Sequence, residues 1–155
     1  MPPTIPTASA TVPRPPQEVY DFLAVLANHE AFCDHYLIDW STSGPRSGVG
    51  SKIRVRANLP GPKDWNETEI IEAEAPRRIV ERGVSAKGKR RTRGTFTLEP
   101  APGDATLVRF DLVFEAQPAA DRLVNPFLRG YLAKGNQKAM DRLAALMTAP
   151  APAAA

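Results

Sequence analysis

Residues 107–146 read LVRFDLVFEAQPAADRLVNPFLRGYLAKGNQKAMDRLAAL, and within them the apolar pattern changes its period. From Leu107 to Glu115 the side chains alternate, with Val108, Phe110, Leu112 and Phe114 on one face, as in a half-buried antiparallel strand. Pro118 cannot donate to a ladder and opens a different element. Beyond it Leu123, Phe127, Leu128, Tyr131, Leu132, Ala139, Leu143 and Leu146 form the apolar stripe of one long helix. Gly130 and Gly135 interrupt the stripe. Glycine costs about 1 kcal/mol against alanine inside a helix, so the pair predicts either a kink or a surface kept free of side chains.

Upstream, strands follow one another without helices between them. Ser51–Leu59 alternates, with Ile53, Val55, Ala57 and Leu59 inward and Arg54 and Arg56 outward, and Pro60-Gly61-Pro62 ends it. Leu37–Ser41, Trp65–Ala73, Arg78–Ser85 and Thr92–Glu99 are further strands, the last two a hairpin around Lys87-Gly88. Nearer the N-terminus, Ala8–Val12 reads as a first strand. Pro13, Pro15 and Pro16 prepare a helix with Val19, Phe22, Leu23 and Leu26 on its buried face, and Asn28 is placed to cap a second short helix. The order is strand, two short helices, six strands, long helix. Unbroken strands flanked by helices predict an α+β domain: a curved antiparallel seven-stranded sheet whose concave face only the C-terminal helix is long enough to cover.

The chain has 155 residues, enough for one domain with a substantial core. Residues 1–7 and 149–155 are expected to be disordered tails around a single domain at 8–148. The net charge of +3 is too small to imply a nucleic-acid partner. The one cysteine, Cys33, forms no internal disulfide, no apolar run is long enough to span a bilayer, and no signal-peptide pattern opens the chain. The expectation is a cytoplasmic protein, with its oligomeric state left open.

Several local motifs, in this order, resemble the START-like (SRPBCC) superfamily, whose helix-grip fold includes the polyketide cyclase/dehydrase and lipid-transport group. They are Val12-Pro13, then Val19-Tyr20-Asp21-Phe22-Leu23, Gly48-Val49-Gly50-Ser51, Glu72 to Pro76 with Arg77-Arg78, Gly94-Thr95-Phe96-Thr97-Leu98, and Thr106. Together they cover roughly Thr7 to Met147. The resemblance implies an internal cavity between sheet and long helix. It says little about what fills it, because this fold hosts binders, cyclases, aromatases and hydrolase-like enzymes.

Candidate chemistry is sparse. His29, Cys33, Asp34 and His35 cluster, but not at zinc-ligand spacing, so no metal or other cofactor is expected. His35, or Tyr36 beside it, is a candidate acid or base at a cavity mouth. Trp65, Glu67 and Glu69 share one strand face, and Asn66, Thr68, Ile70 and Glu72 share the other. The rarity of buried unpaired charge favours the outer face for the first set, and Glu67 is an acid-base candidate only if that set faces inward. An inward arginine among Arg82, Arg91 and Arg93 is suited to a ligand carboxylate or phenolate, with Arg93 the catalytic candidate. Trp40, Val55, Trp65, Phe96, Phe110, Leu112, Phe114, Phe127 and Tyr131 are the candidate ligand-lining residues. The run Lys87-Gly88-Lys89-Arg90-Arg91-Thr92-Arg93 is either a solvated hairpin tip or a surface for an acidic partner. Gly44, Gly48 and Gly50 precede a strand and lack a following Lys-Ser/Thr, which excludes a phosphate loop.

Three functions follow. The first is binding of a hydrophobic small molecule (lipid, fatty acid or polyketide-like aromatic) in the cavity. The second is an enzyme of the polyketide cyclase/aromatase type, closing a poly-β-ketone by aldol chemistry and loss of water. The third is an interaction domain working through the basic hairpin.

Overall fold

In a computed structural model, which describes residues 3–59 and 64–148, seven strands form one antiparallel sheet in the order β1-β7-β6-β5-β4-β3-β2. The strands are β1 (Ala8–Val12), β2 (Leu37–Ser43), β3 (Lys52–Ala57), β4 (Trp65–Glu74), β5 (Arg78–Ser85), β6 (Arg90–Ala101) and β7 (Ala105–Ala116). Helices α1 (Pro16–Leu23) and α2 (Glu30–Cys33) lie between β1 and β2, and α3 (Asn125–Thr148) closes the chain. This is the helix-grip arrangement expected from the element order. From β2 to β7 each strand pairs with the next in sequence, which is what short turns between consecutive strands enforce.

The core lies between the concave face and the helices. Val12, Val19, Leu23, Phe32, Ile70, Ile79 and Leu143 are each 0% exposed. The C-terminal half of α3 joins this core through Ala139, Met140 and Leu143. Its N-terminal half stands over an open part of the sheet.

Several local expectations need correction. Within the predicted N-terminal tail Ile5 is buried, and the exposed residues beside it are tied down: Thr7 hydrogen-bonds Asp111, and Arg129 Nε donates to the Thr4 carbonyl at 2.9 Å. Asn28 caps no helix; its Nδ2 donates back to the Phe22 carbonyl at 3.0 Å, and a 3₁₀ turn at Leu26–His29 leads straight into α2. The predicted stripe of α3 is buried only in part. Leu123 belongs to a separate 3₁₀ turn (Ala119–Leu123) and is exposed, as are Phe127 and Leu146. At Gly135 the second reading of the glycines holds: a Cβ there would stand 2.7 Å from Cε2 and 2.8 Å from Cγ of Tyr36. Gly130 faces open space, and α3 runs unbroken through both. The Pro60-Gly61-Pro62 break and the 149–155 tail lie outside the described residues.

Candidate functional site

The open part of the concave face is made by small side chains at aligned positions. β5 turns Ile79, Glu81, Gly83 and Ser85 inward, and pairing places Glu81 beside Gly94 and Gly83 beside Thr92. On the far side of β6, Gly94 pairs with Leu112 and Thr92 with Phe114. On the near side Ile70 pairs with Glu81 and Thr68 with Gly83. With no side chain rising from Gly83 and Gly94 the floor of the sheet stays low: the Phe110 ring lies over Gly94, 3.0 Å from where a Cβ would stand, and Thr92 Oγ1 over Gly83, at 2.5 Å. The result is a cavity of ≈ 330 Å³ between sheet and α3, roofed by Leu128, Tyr131 and Leu132. A volume of this order lies at the small end for small-molecule sites.

The inner end of the cavity carries buried polar groups. Glu81 is 9% exposed and Asn136, on α3, 2% exposed. Tyr36 Oη donates to Asn136 Oδ1 at 2.9 Å, which leaves the amide Nδ2 without a protein partner among the described residues. Glu81 Oε1 is likewise unpartnered there, and lies 3.7 Å from His29 Nδ1. Burial pushes the Glu81 carboxyl up to about 8, so it is a neutral acid at pH 7. Burial pushes His29 down to about 4. The neutral imidazole gives its Nε2 hydrogen to the Leu23 carbonyl at 2.8 Å, which turns the bare Nδ1 toward Glu81. Cys33 is buried nearby and its thiol is pushed up by burial, which opposes any thiolate chemistry.

The outer end is charged. Arg90 meets Asp121 in a bidentate pair, Nε to Oδ2 at 2.7 Å and Nη2 to Oδ1 at 2.8 Å. It also reaches Ser85 Oγ at 3.1 Å and lies 3.6 Å from Asp64. This clasp ties the β5–β6 hairpin to the 3₁₀ turn before α3.

The candidates from sequence divide accordingly. Tyr36, Phe110, Leu112, Phe114 and Tyr131 line the cavity. Val55 and Phe96 are inward but sealed within the core, and Trp40 packs at its margin with Nε1 donating to the Leu37 carbonyl. The others need correction. Trp65 and Glu67 occupy the outer face, where the Arg54 and Arg56 guanidinium carbons each lie 4.5 Å from the centre of the Trp65 ring and Glu67 lies 3.8 Å from Lys52. The polar alternates Asn66 and Thr68 take the inner phase, because unpaired charge stays in water. Arg93 is also outward, 3.6 Å from Glu115. His35 uses both ring nitrogens to hold α3, Nε2 donating to the Gly135 carbonyl at 2.9 Å and Nδ1 accepting from Arg142 at 2.8 Å. Phe127 is 61% exposed beside Tyr131. The basic run is broken up, since Arg90 turns inward and Arg93 is paired.

Glu81, Asn136 and Asp121 were not among the candidates, and Arg90 was one only as part of the basic run. Two of them left a trace. Arg78 and Arg82 claim the outer phase of β5 and so force Glu81 inward, and Asn136 falls four residues after Leu132 and four before Met140 on the helical face. Among the described residues no three His, Cys, Asp or Glu side chains gather as metal ligands, and no helix is long and apolar enough to cross a membrane.

The family model for polyketide cyclase/dehydrase and lipid transport matches residues 5–148. No curated protein matches the sequence. Among solved structures, TTHA0849 from Thermus thermophilus is similar with a TM-score of 0.70 at 22% identity, over 94% of this chain and 97% of that one. KanY gives a TM-score of 0.74 at 9% identity, over 96% of this chain and all of that one (100%). DynU16, a protein of the dynemicin biosynthetic locus, gives 0.62 at 19% identity over 92% of this chain, which spans 46% of its length. At these identities the likeness shows the fold.

Proposed function

Since the chain belongs to the polyketide cyclase/dehydrase and lipid transport family, we propose that it binds a hydrophobic small molecule in the cavity between the sheet and α3. The observation that carries this reading is the cavity itself: apolar side chains from β7 and α3 face small residues of β5 and β6 across ≈ 330 Å³. Native mass spectrometry of the purified protein, before and after organic extraction, tests the reading, together with titration by a neutral environment-sensitive dye such as Nile red. Co-purified apolar material, or saturable dye uptake, is the expected result. An empty protein that takes up neither dye nor any member of a panel of ketones, alkanes, fatty acids and aromatic polyketides overturns it.

A second reading, an aldol-type cyclase or dehydrase, draws on Glu81. A neutral carboxyl beside a cavity is placed to give its proton to a carbonyl oxygen as the enol carbon of the poly-β-ketone bonds to that carbonyl, the resulting carboxylate taking the enol's O–H proton, and a value near 8 suits proton transfer at neutral pH. Turnover of a linear poly-β-ketone thioester, abolished by Glu81→Ala with ligand uptake retained, is the outcome that would favour the enzyme over the binder.

A further inference from the structure

Besides the carbonyl oxygen of the Glu81 carboxyl, the inner end of the cavity has two donors without a protein partner among the described residues. With Oδ1 occupied by Tyr36, Asn136 offers Nδ2–H, and a protonated Glu81 offers O–H. Of the other hydroxyls lining the cavity, Tyr131 Oη is spent on the Tyr36 carbonyl at 2.5 Å. No cation among the described residues faces this end. Arg90 sits beside Ser85, four residues farther along β5, which is about 13 Å of strand, and Asp121 already neutralises it. A carboxylate brought to Glu81 would therefore be a second buried anion-forming group without a counter-charge, an arrangement protein interiors avoid. A neutral carbonyl oxygen accepts from either donor at no such cost.

We propose that Glu81 and Asn136 form the specificity end of the cavity, which takes the neutral carbonyl oxygen of an otherwise apolar ligand and rejects carboxylates such as fatty acids. The proposal rests on the binding reading above and narrows it to ketones, quinones and related acceptors. It also makes binding depend on pH. The titratable groups facing Glu81 are His29 from the 3₁₀ turn, Cys33 from α2 and Tyr36 from the segment after it. His29 is already neutral above about 4, and the Cys33 thiol and Tyr36 phenol are held protonated by burial. Between pH 6.5 and 9.5 the inner end thus changes only when Glu81, held near 8, gives up the proton it donates.

Displacement of Nile red by 2-undecanone, undecane and undecanoate, at pH 6.5 and at pH 9.5, tests the proposal. At pH 6.5 the ketone is expected to bind about tenfold tighter than the alkane, the worth of one well-made buried hydrogen bond, and undecanoate more weakly than the ketone. At pH 9.5 the ketone's advantage should vanish. Glu81→Gln keeps a neutral donor and should flatten the pH profile, whereas Glu81→Leu should remove the preference for ketone over alkane at both pH values. Equal or tighter binding of undecanoate, or a ketone affinity in the unaltered protein that does not change between the two pH values, overturns the proposal while leaving the binding reading intact. Failure of all three probes to displace a saturably bound dye overturns this proposal alone, and a protein that takes up neither the dye nor any of the three probes overturns both.

Discussion

Glu81 and His29 are shifted in opposite directions by one cause, because burial penalises a charge of either sign. The consequences for stability are opposite as well. In the native protein Glu81 keeps its proton up to about 8, whereas an unfolded glutamate loses it near about 4.3. Over that window the native state holds the extra proton, so rising pH favours unfolding. His29 is neutral in the native state above about 4 and titrates at 6.5 when unfolded. There the unfolded state holds the extra proton, and rising pH favours the native state. The two slopes cancel between roughly pH 4.3 and 6.5, and only that of Glu81 remains above. From pH 6.5 to 8 the protein should lose about 2 kcal/mol of stability that Glu81→Gln does not lose, measured by urea unfolding of both proteins across the range. Parallel profiles for the two would show that Glu81 is ionised in the native state.

At the scale of elements, α3 contains two glycines that its helical pattern treats alike and its surroundings do not. Gly135→Ala would drive a methyl group into the Tyr36 ring, which is stacked on His35 at 4.5 Å and cannot retreat without breaking the contact with Asn136. A loss of about 1–3 kcal/mol is expected. Gly130→Ala meets nothing within 4 Å and should gain about 0.5–1 kcal/mol from helix propensity. Thermal unfolding of the two variants should move in opposite directions. The Arg90–Asp121 clasp is a second device of this scale. It fastens a hairpin to the turn that borders the cavity, so Asp121→Ala should speed release of a bound dye several-fold in stopped-flow, with a smaller change in the association rate. An unchanged release rate would mean that the ligand leaves by another path.

The cavity belongs to the whole molecule, because no single element contains it. Phe110, Leu112 and Phe114 define one wall, Gly83, Thr92 and Gly94 recede to make the space, and α3 supplies the roof. Leu112→Trp places a large ring in that space from a strand that is paired along its full length. Dye uptake should fall at least tenfold while the melting temperature holds or rises, since filling a void adds contacts without cutting any. A large drop in melting temperature would show instead that the space is too well packed to accept the ring.

The architecture was legible from periodicity alone. Alternation in Leu107–Glu115 and Ser51–Leu59, the helical stripe after Pro118 and the absence of helices between strands determine an α+β domain with one helix across the sheet, because backbone geometry imposes those periods locally. The site was legible only where periodicity also set the facing, as at Phe110, Leu112 and Phe114. It was not legible at Trp65–Glu69, where both phases of the strand are equally mixed and only the packed sheet decides that Asn66 and Thr68 turn inward. For His35, Glu81 and Asn136 the phase was readable at most, and the role depended on tertiary structure. Whether a histidine clasps a helix, a carboxyl keeps its proton or an amide is left with a free donor is set by burial and by partners distant in the chain, and Tyr36 and Asn136 meet across a hundred residues (|i−j|=100).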